Sequence, residues 1–356
     1  MSRMDHADGL MRQAIADRVF PGGVLLVADS GSIRFFQAYG VANIYTGRPM
    51  TGDIVFDLAS LTKPLATTLA VMKLVQQNAL TIDQPVADIL PEFENTDKAG
   101  MRVAHLLAHV SGLPDYRAYY HELCAHPLNQ RKDRLYALLQ NEPLAYPTGQ
   151  KTLYSDLGFM LLHLLIEKIA GCGLDKFVTR EVYQPLGIEG LFFIDVCDGP
   201  SARVFAATED CPWRNRVLEG EVHDENAYAL GGVSGHAGLF GTAEAVHALL
   251  AHLLQGVGGA VGLFAPSLLR RFLSRYHSCD RALGFDVPAE KASSAGEYFD
   301  RETSVGHLGF TGTSFWMALD QGIIIVLLTN RIHPRRDNEA IRHFRPLLHN
   351  TLMAGI

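Results

Sequence analysis

The chain lacks the features of secreted scaffolds and membrane proteins. It has five cysteines in 356 residues and no Cys-x-x-Cys pair, and an odd count without framework spacing indicates reduced thiols. No apolar run approaches the roughly 20 residues that a membrane-spanning helix needs, and the first residues show no apolar core of a secretory signal. We therefore expect a cytoplasmic protein without a membrane span, or a periplasmic one if a leader has been removed.

An excess of positive charge is also missing. Lysine and arginine total 31 against 38 acidic residues, which gives a net charge of −7 and a pI near 6.1. This balance gives no reason to expect nucleic acid or an anionic membrane surface as a partner. Hydrophobic residues make up 48% of the chain and charged residues 19%, so a sizeable core is expected. The length favours a large globular enzyme in two parts.

Hydrophobic periodicity predicts strands near both chain ends and helices between them. The strand patterns lie at 23–29, 33–39, 281–287, 303–310, 313–319 and 323–330, and the helical patterns at 10–19, 101–110, 131–140, 157–169, 242–254 and 338–353. Residues 187–235 are rich in Gly, Pro, Asp and Asn and predict an irregular region. We expect an α+β fold with one antiparallel sheet flanked by helices. Residues 1–78 and 256–356 would form the sheet domain, residues 79–255 an inserted all-α or mostly helical domain, and the active site would lie at their interface.

The segment most indicative of chemistry is Ser-x-x-Lys at Ser60 and Lys63. It opens an amphipathic run, so the lysine lies one helical turn after the serine and on the same face. A buried lysine loses its charge readily and can act as a base toward serine. The helix N-terminus offers free N–H groups to a developing oxyanion. The alternative, a capping serine followed by a surface lysine, is ordinary helix chemistry.

Two further motifs supply the context that separates these interpretations. Tyr154-Ser-Asp156 directly precedes the predicted helix at 157–169, and His307-Leu-Gly309 lies on a predicted strand. Together with Ser-x-x-Lys, in this order, they resemble the signature of the serine β-lactamase and penicillin-binding protein-like superfamily. The tyrosine places the resemblance in the branch that contains class C β-lactamases, D-alanyl-D-alanine carboxypeptidases and related esterases. Stretches at 105–114 and 237–244 are similar to that family too.

The resemblance implies a role for each motif residue on a β-lactamase/transpeptidase-like fold. Ser60 would be the acylated nucleophile, and Lys63 would accept its proton. Tyr154 would share the base role and pass a proton to the leaving group, which requires Lys63 to lower its pKa. The N–H groups of Ser60 and Phe310 would form the oxyanion hole. Substrate would pair along the strand edge at 307–310, and no metal or organic cofactor is implied.

The chain departs from the family pattern at two of these positions. Asp156 stands where the family commonly has Asn, and its carboxylate favours the ammonium form of Lys63. His307 replaces the Lys of Lys-Thr-Gly, and a histidine is mostly neutral near pH 7. The cationic anchor for a substrate carboxylate is therefore weakened. This favours an esterase or amidase, and the motif resembles a His-containing subgroup that includes an amidase of cell-wall recycling.

Other histidines are candidates for binding. His223, followed by Asp224 and Glu225 in a Gly-rich region, is expected to line the substrate cleft, together with Asp156, His307 and Gly309. His105 and His109 have metal-ligand spacing, but no acidic third ligand is nearby, so a structural role is preferred.

The sequence thus predicts a serine hydrolase that forms an acyl-enzyme on Ser60. It would act on peptidoglycan-derived peptides or amides, as a D-alanyl peptidase, a β-lactamase-like enzyme or a muramyl-peptide amidase. The alternatives are a carboxylesterase of the same fold and a non-catalytic penicillin-recognition module. The expected partner is a small-molecule or peptide substrate, and the oligomeric state stays open.

Overall fold

The structure is a computed structural model that describes residues 2–197, 202–277 and 279–355. The predicted irregular region 187–235 is therefore described except at 198–201, which lie outside the described residues. The helices are α1 (Arg3–Ala16), α2 (Thr68–Gln76), α3 (Val103–Leu107), α4 (Tyr120–Leu123), α5 (Leu128–Asn141), α6 (Asp156–Ala170), α7 (Leu174–Val178), α8 (Glu225–Ala229), α9 (Ala243–Val257), α10 (Pro266–Leu273) and α11 (Ile341–Met353). The strands are β1 (Gly22–Asp29), β2 (Ser32–Asn43), β3 (Arg48–Pro49), β4 (Phe56–Asp57), β5 (Leu191–Phe193), β6 (Asp210–Cys211), β7 (Arg216–Val217), β8 (Leu239–Gly241), β9 (Ser304–Leu308), β10 (Ser314–Ala318) and β11 (Ile323–Thr329).

Both ends of the chain build the main sheet. Its strand order is β3-β2-β1-β11-β10-β9, and every neighbouring pair is antiparallel. The central pair joins β1 to β11, so strands almost three hundred residues apart in sequence lie side by side. The predicted α+β class with an antiparallel sheet and flanking helices is confirmed.

The strands β1, β10 and β11 are buried on both faces, which explains their nearly continuous apolar sequences, whereas most of β2 is exposed or half-buried. Val24 and Leu26 of β1 contribute to the larger hydrophobic cluster, which also takes in residues of α2, α6 and α9. Leu25 and Val27 contribute to a second cluster with residues of α1 and α11. Successive side chains of a strand point to opposite faces, so one strand supplies both layers. This alternation specifies the pairing register of β1 and its neighbours, and β9 lies at the edge of the sheet.

Three local predictions differ from the structure. Residues 281–287 do not form a strand, because Gly284 has a φ of +82° and turns the chain, leaving single bridges from Arg281 to Asp286 and from Asp286 to Gly306. The helix expected from Ser60 onward begins with a 3₁₀ turn at Ala59–Leu61 and a π-helical turn at Lys63–Thr67. The region 79–255, expected to be all or mostly helical, also contains a hairpin of β6 and β7 and the strands β5 and β8, which form a small sheet with β4 from outside that region.

The division at residues 78 and 255 stays a prediction. The last helix of the expected insert, α9, packs against β1 and β11 of the main sheet. In the described residues, no single helix has the length and apolar character to cross a membrane. The bent pair formed by α6 and the helical segment Leu174–Leu186 has the combined length and apolar composition of a membrane span. Nine residues of α6 are buried inside the protein, as in the core helix of a globular fold.

Candidate active site

A cavity of about 520 Å³ brings the three predicted motifs together, a volume typical of small-molecule sites. The sequence-predicted residues that line it are Ser60, Tyr154, Asp156, His223, His307, Gly309 and Phe310. Lys63 lies directly behind Ser60 and is fully buried. Edge strand β9 contributes His307 and Leu308 to one wall, and Asp286 bridges to the strand beside them at Gly306.

Ser60 and Lys63 are in direct contact. Lys63 Nζ lies 3.0 Å from Ser60 Oγ and donates a hydrogen bond to it. It also donates to the backbone carbonyl of His236 at 3.1 Å and lies 2.8 Å from Asp156 Oδ1. These oxygens compensate an ammonium group that has no exposed surface. The arrangement fixes the lysine directly behind the serine hydroxyl.

The chain is strained immediately before the serine. Ala59 has a φ of +47°, a left-handed conformation that costs a non-glycine residue free energy and recurs at functional sites. Asp57 holds it there, because its buried carboxylate accepts the Ala59 N–H at 2.8 Å. The same carboxylate accepts the His223 N–H at 2.6 Å. Asp57 therefore ties the nucleophile turn to the loop across the cavity.

Lys63 is held as an ammonium ion in the free enzyme. Burial lowers its pKa, but the charges and hydrogen bonds of Asp156 and Tyr154 raise it more, so the pKa lies above its ordinary value. Asp156 therefore acts as expected: its carboxylate, 2.8 Å from Lys63 Nζ, raises the pKa of Lys63 and favours the charged form. Lys63 becomes a base only after it has lost a proton.

The pKa of Tyr154 is not lowered by Lys63 in the way expected from the sequence. Its ring lies 4.7 Å from Lys63 Nζ, and its hydroxyl interacts with Lys63 and Ser60. Burial raises the pKa of Tyr154, Lys63 lowers it, and Asp156 raises it again, so that the pKa lies above its ordinary value. The predicted lowering of the pKa is wrong because burial of the phenol, with a further contribution from the Asp156 charge, outweighs the effect of Lys63. Tyr154 is a protonated phenol at neutral pH.

His307 is neutral and presents an acceptor. Its Nδ1 lies 2.8 Å from the carbonyl of Leu308, so Nδ1 carries the proton and Nε2 has a free lone pair. Burial, together with the charges of Lys63 and Arg281, holds its pKa well below the ordinary value. Its Nε2 is 3.9 Å from Asp286 Oδ1. His307 is therefore uncharged both because it is a histidine and because burial lowers its pKa.

The segment after β9 is fixed against the nucleophile turn. Thr313 Oγ1 donates to the Leu58 carbonyl at 3.1 Å, and Thr311 Oγ1 donates to the Asp57 carbonyl at 2.7 Å. A Cβ on Gly309 would lie 2.0 Å from Thr313 Oγ1 and 2.6 Å from the Leu58 carbonyl. Glycine is therefore required by close packing, with its φ outside the left-handed region. The contact brings the N–H of Phe310 to the same wall of the cavity as Ser60.

Two buried arginines give the far wall a positive charge. Arg331 donates from Nε and Nη2 to the Phe310 carbonyl at 3.0 and 2.7 Å. Arg345 donates to the Thr313 carbonyl at 3.0 Å, while its Nε is buried without a hydrogen-bond partner in the described part of the chain. Burial and the repulsion from Arg331 lower the pKa of Arg345 to about 9. Both guanidinium groups bond backbone carbonyls, so their charge is left for a ligand to neutralise.

His223 supports the wall more than it faces the ligand. It is 4% exposed, and its Nε2 lies 3.0 Å from Glu209. Its ring stacks on the exposed Phe310 ring at a centroid distance of 5.6 Å. The Nε2 atom of His223 is therefore occupied by Glu209. Direct contact with substrate stays a prediction, and the contact that the structure shows is the support of the Phe310 ring by the His223 ring.

The other histidine pair is dispersed. His109 packs its ring against Tyr154 at 4.6 Å and accepts the Ser155 N–H at Nδ1, whereas His105 accepts the Arg102 N–H. In the described part of the chain no group of three or more His, Cys, Asp or Glu side chains has the arrangement to hold a metal ion.

Several site residues were missed from the sequence. They line the cavity or support its walls, and they are Asp57, His236, Arg281, Asp286, Arg331 and Arg345. Asp57 carried a usable signal, since it is a charged residue inside the apolar run 54–58. The arginines carried none, because exposed and buried guanidinium groups have the same local sequence.

Comparison with known proteins assigns the class. The Beta-lactamase family model matches residues 7–348. The N-acetylmuramyl-L-alanine amidase of Bacillus subtilis (strain 168) is 35% identical over 344 residues, which covers 88% of this chain and 78% of that protein. A putative D-alanyl-D-alanine carboxypeptidase of Escherichia coli (strain K12) is 32% identical over 363 residues, with 94% and 83% covered. The chain belongs to the Beta-lactamase family and is a serine hydrolase of that fold.

Solved structures show the same fold. EstCE1, a hydrolase with promiscuous acyltransferase activity, matches with a TM-score of 0.74 at 24% identity over 97% of this chain and 98% of that one. The octameric penicillin-binding protein homologue from Pyrococcus abyssi matches with a TM-score of 0.73 at 19% identity over 97% and 77%.

Proposed function

We propose that this hydrolase cleaves an amide bond in an anionic, peptidoglycan-derived peptide through an acyl-enzyme on Ser60. The observation that carries the proposal is the cavity itself. It combines a serine in hydrogen-bond contact with a buried lysine and two buried arginines, Arg331 and Arg345, whose charges are not paired by direct carboxylate contact in the described residues. Such buried charge favours a ligand that brings a carboxylate. The names of the amidase and carboxypeptidase relatives agree with this substrate class.

The proposed chemistry assigns one task to each group. Ser60 Oγ attacks the substrate carbonyl while its proton passes to Lys63, once Lys63 is in the neutral form. The N–H groups of Ser60 and Phe310 hold the oxyanion. Tyr154, protonated in the free enzyme, donates its proton to the departing amine and regains one from Lys63. Water then hydrolyses the acyl-enzyme and restores Ser60.

The raised pKa values of Lys63 and Tyr154 favour one rival, a carboxylesterase. An activated ester leaves without a proton and needs less from the base, whereas an amine must be protonated as it leaves. EstCE1 carries the same fold with hydrolase activity. The third candidate, a silent recognition module, has less support, because it does not require the Lys63–Ser60 hydrogen bond.

Three substrates separate the candidates. A muramyl-L-alanine amide, a peptide ending in D-alanyl-D-alanine and a nitrophenyl ester would be incubated with the wild type and with Ser60→Ala, and products identified by mass. Cleavage of either amide, lost in Ser60→Ala, supports the proposal. Turnover of the ester alone supports the esterase, and unchanged rates in Ser60→Ala would refute a role for this serine.

The cytoplasmic location is part of the proposal. The chain has five cysteines, an odd number without the spacing of a disulfide framework, as is usual for a protein of a reducing compartment. Cell fractionation with an antibody to the chain would test it.

A further inference from the structure

Asp224, in the cavity wall, accepts hydrogen bonds through one of its two carboxylate oxygens in the described part of the chain. Asp224 caps the start of α8, and its Oδ1 accepts both the Ala227 N–H at 2.7 Å and the His236 Nε2–H at 2.8 Å. Its side chain is 23% exposed and faces the cavity. Oδ2 accepts no hydrogen bond from any described residue. Capping the helix requires one oxygen, so the second is left for another partner.

The neighbouring carboxylates are neutralised within the protein. Asp156 pairs with Lys63, and Asp286 pairs with Arg281. The remaining acidic group of the cavity wall, Glu225, pairs with Arg336. Asp224 differs, because in the described part of the chain its ion-pair contact is with a histidine ring, that of His236. Burial raises the pKa of Asp224, but the interactions with His236 and with the Ala227 N–H lower it by more. The pKa therefore lies below its ordinary value, and the group is ionised.

His236 connects this carboxylate to the catalytic lysine. Its Nδ1 lies 2.9 Å from Ser234 Oγ, and its backbone carbonyl accepts the hydrogen bond from Lys63. Because a carboxylate only accepts, Nε2 carries a proton, and Nδ1 shares a hydrogen bond with the Ser234 hydroxyl. The Ser-His-Asp order is that of a hydrolase triad, but Ser234 has no exposed surface and does not line the cavity. Its function is therefore to orient the ring.

We propose that Asp224 Oδ2 binds an N–H donor, an amide or an ammonium group, on the acyl part of the substrate. His236 is a positioning residue that holds Asp224 through its ring and Lys63 through its carbonyl. Asp224 lines the same cavity as Ser60, and a carboxylate oxygen is an acceptor only, so an N–H group on the substrate is the complementary partner for it. This inference rests on the proposed hydrolysis at Ser60.

The test is Asp224→Asn with three nitrophenyl esters. Asparagine caps helices as well as aspartate does and can keep both bonds at Oδ1, but it presents an NH₂ donor in place of Oδ2. The acyl groups are alanyl, with an ammonium, N-acetylalanyl, with an amide N–H, and propionyl, with neither. Asp175→Asn, a first-turn carboxylate of α7 outside the cavity, is the matched control.

The wild type is expected to prefer an ester that carries the donor. In Asp224→Asn, kcat/KM for that ester should fall about tenfold to hundredfold, and for the propionyl ester less than about twofold, because a donor then faces a donor. The more affected of the two donor esters identifies ammonium or amide. Equal losses for all three esters, or none, would overturn the inference.

Two further results complete the test. If Asp224→Asn does not fold, the test is the wild-type kcat/KM for the donor-bearing esters divided by that for the propionyl ester. A ratio near one overturns the inference. If the wild type hydrolyses none of the esters and forms no adduct on Ser60, the proposed function fails and this inference with it. Turnover without donor preference contradicts only the role of Asp224.

Discussion

The pair formed by Lys63 and Asp156 allows the sharpest prediction, made with Asp156→Asn. The two charged groups are 2.8 Å apart, and Lys63 has no exposed side-chain surface. Coulomb's law at an effective dielectric constant of 20 gives about 6 kcal/mol for this attraction. Breaking a buried pair typically costs about 3–5 kcal/mol, since the remaining charge loses its partner. We expect a loss of this size in the free energy of unfolding at pH 7.

The loss should depend on pH in a defined direction. In the wild type the pKa of Lys63 is raised in the folded state, so the pair stabilises the fold below the unfolded pKa and its contribution disappears as pH rises through the folded pKa. In Asp156→Asn burial dominates and lowers the folded pKa. The destabilisation is then largest below the lowered pKa of the variant, shrinks as pH rises, and disappears only above the raised folded pKa of the wild type. Urea unfolding from pH 6 to 10 measures this change.

The same substitution should make Lys63 a base at lower pH. The acidic limb of the pH profile of kcat/KM for a nitrophenyl ester is therefore expected to move to lower pH. Asp83→Asn is the matched control, because Asp83 and Arg271 lie 2.9 Å apart with side chains 59% and 54% exposed, and such exposed pairs contribute less than about 1 kcal/mol. An unmoved acidic limb, or a stability loss no larger than that of the control, would refute the reasoning.

Three further predictions concern the walls of the cavity and the core behind it. Gly309→Ala would place a Cβ 2.0 Å from Thr313 Oγ1, so we expect at least about a hundredfold loss of kcat from the displaced oxyanion site, and normal kcat in a folded variant would contradict the packing argument. Tyr154→Phe should cost about 10²–10⁴-fold on an amide and less on a nitrophenyl ester, and equal losses would exclude proton donation to the leaving group. Burial lowers the pKa of His349 to about 4, so it contributes about 3 kcal/mol above pH 6.5 that is lost as pH falls toward 4. His349→Gln should flatten the decline of the free energy of unfolding between pH 7 and pH 4.5, and an unchanged decline would contradict it.

The periodic elements were predictable, because their sequence pattern records the same burial that the fold imposes. The apolar runs of β1 and β11 and the spacing in α6 correspond to faces that are buried in the structure. The predicted strand at 281–287 failed where one glycine turns the chain. A left-handed glycine and a strand glycine are the same letter in the sequence.

The chemistry of the site was predictable only as far as the motifs extend. Ser60, Lys63 and Tyr154 do meet, but the direction of the Tyr154 pKa depends on its burial and on Asp156 as well as on Lys63. The contact between Lys63 and the His236 carbonyl joins residues 173 apart in sequence. Such contacts follow from the packing of the whole chain, and no local pattern encodes them.

The central claim is that Ser60 is acylated with help from Lys63. Intact-protein mass, measured by rapid quenching during turnover of a nitrophenyl ester, tests it most directly. The account predicts an added mass equal to the acyl group in the wild type, mapped to the peptide that contains Ser60 and absent in Ser60→Ala. An adduct of the same size in Ser60→Ala, or wild-type turnover by that variant, would contradict the account.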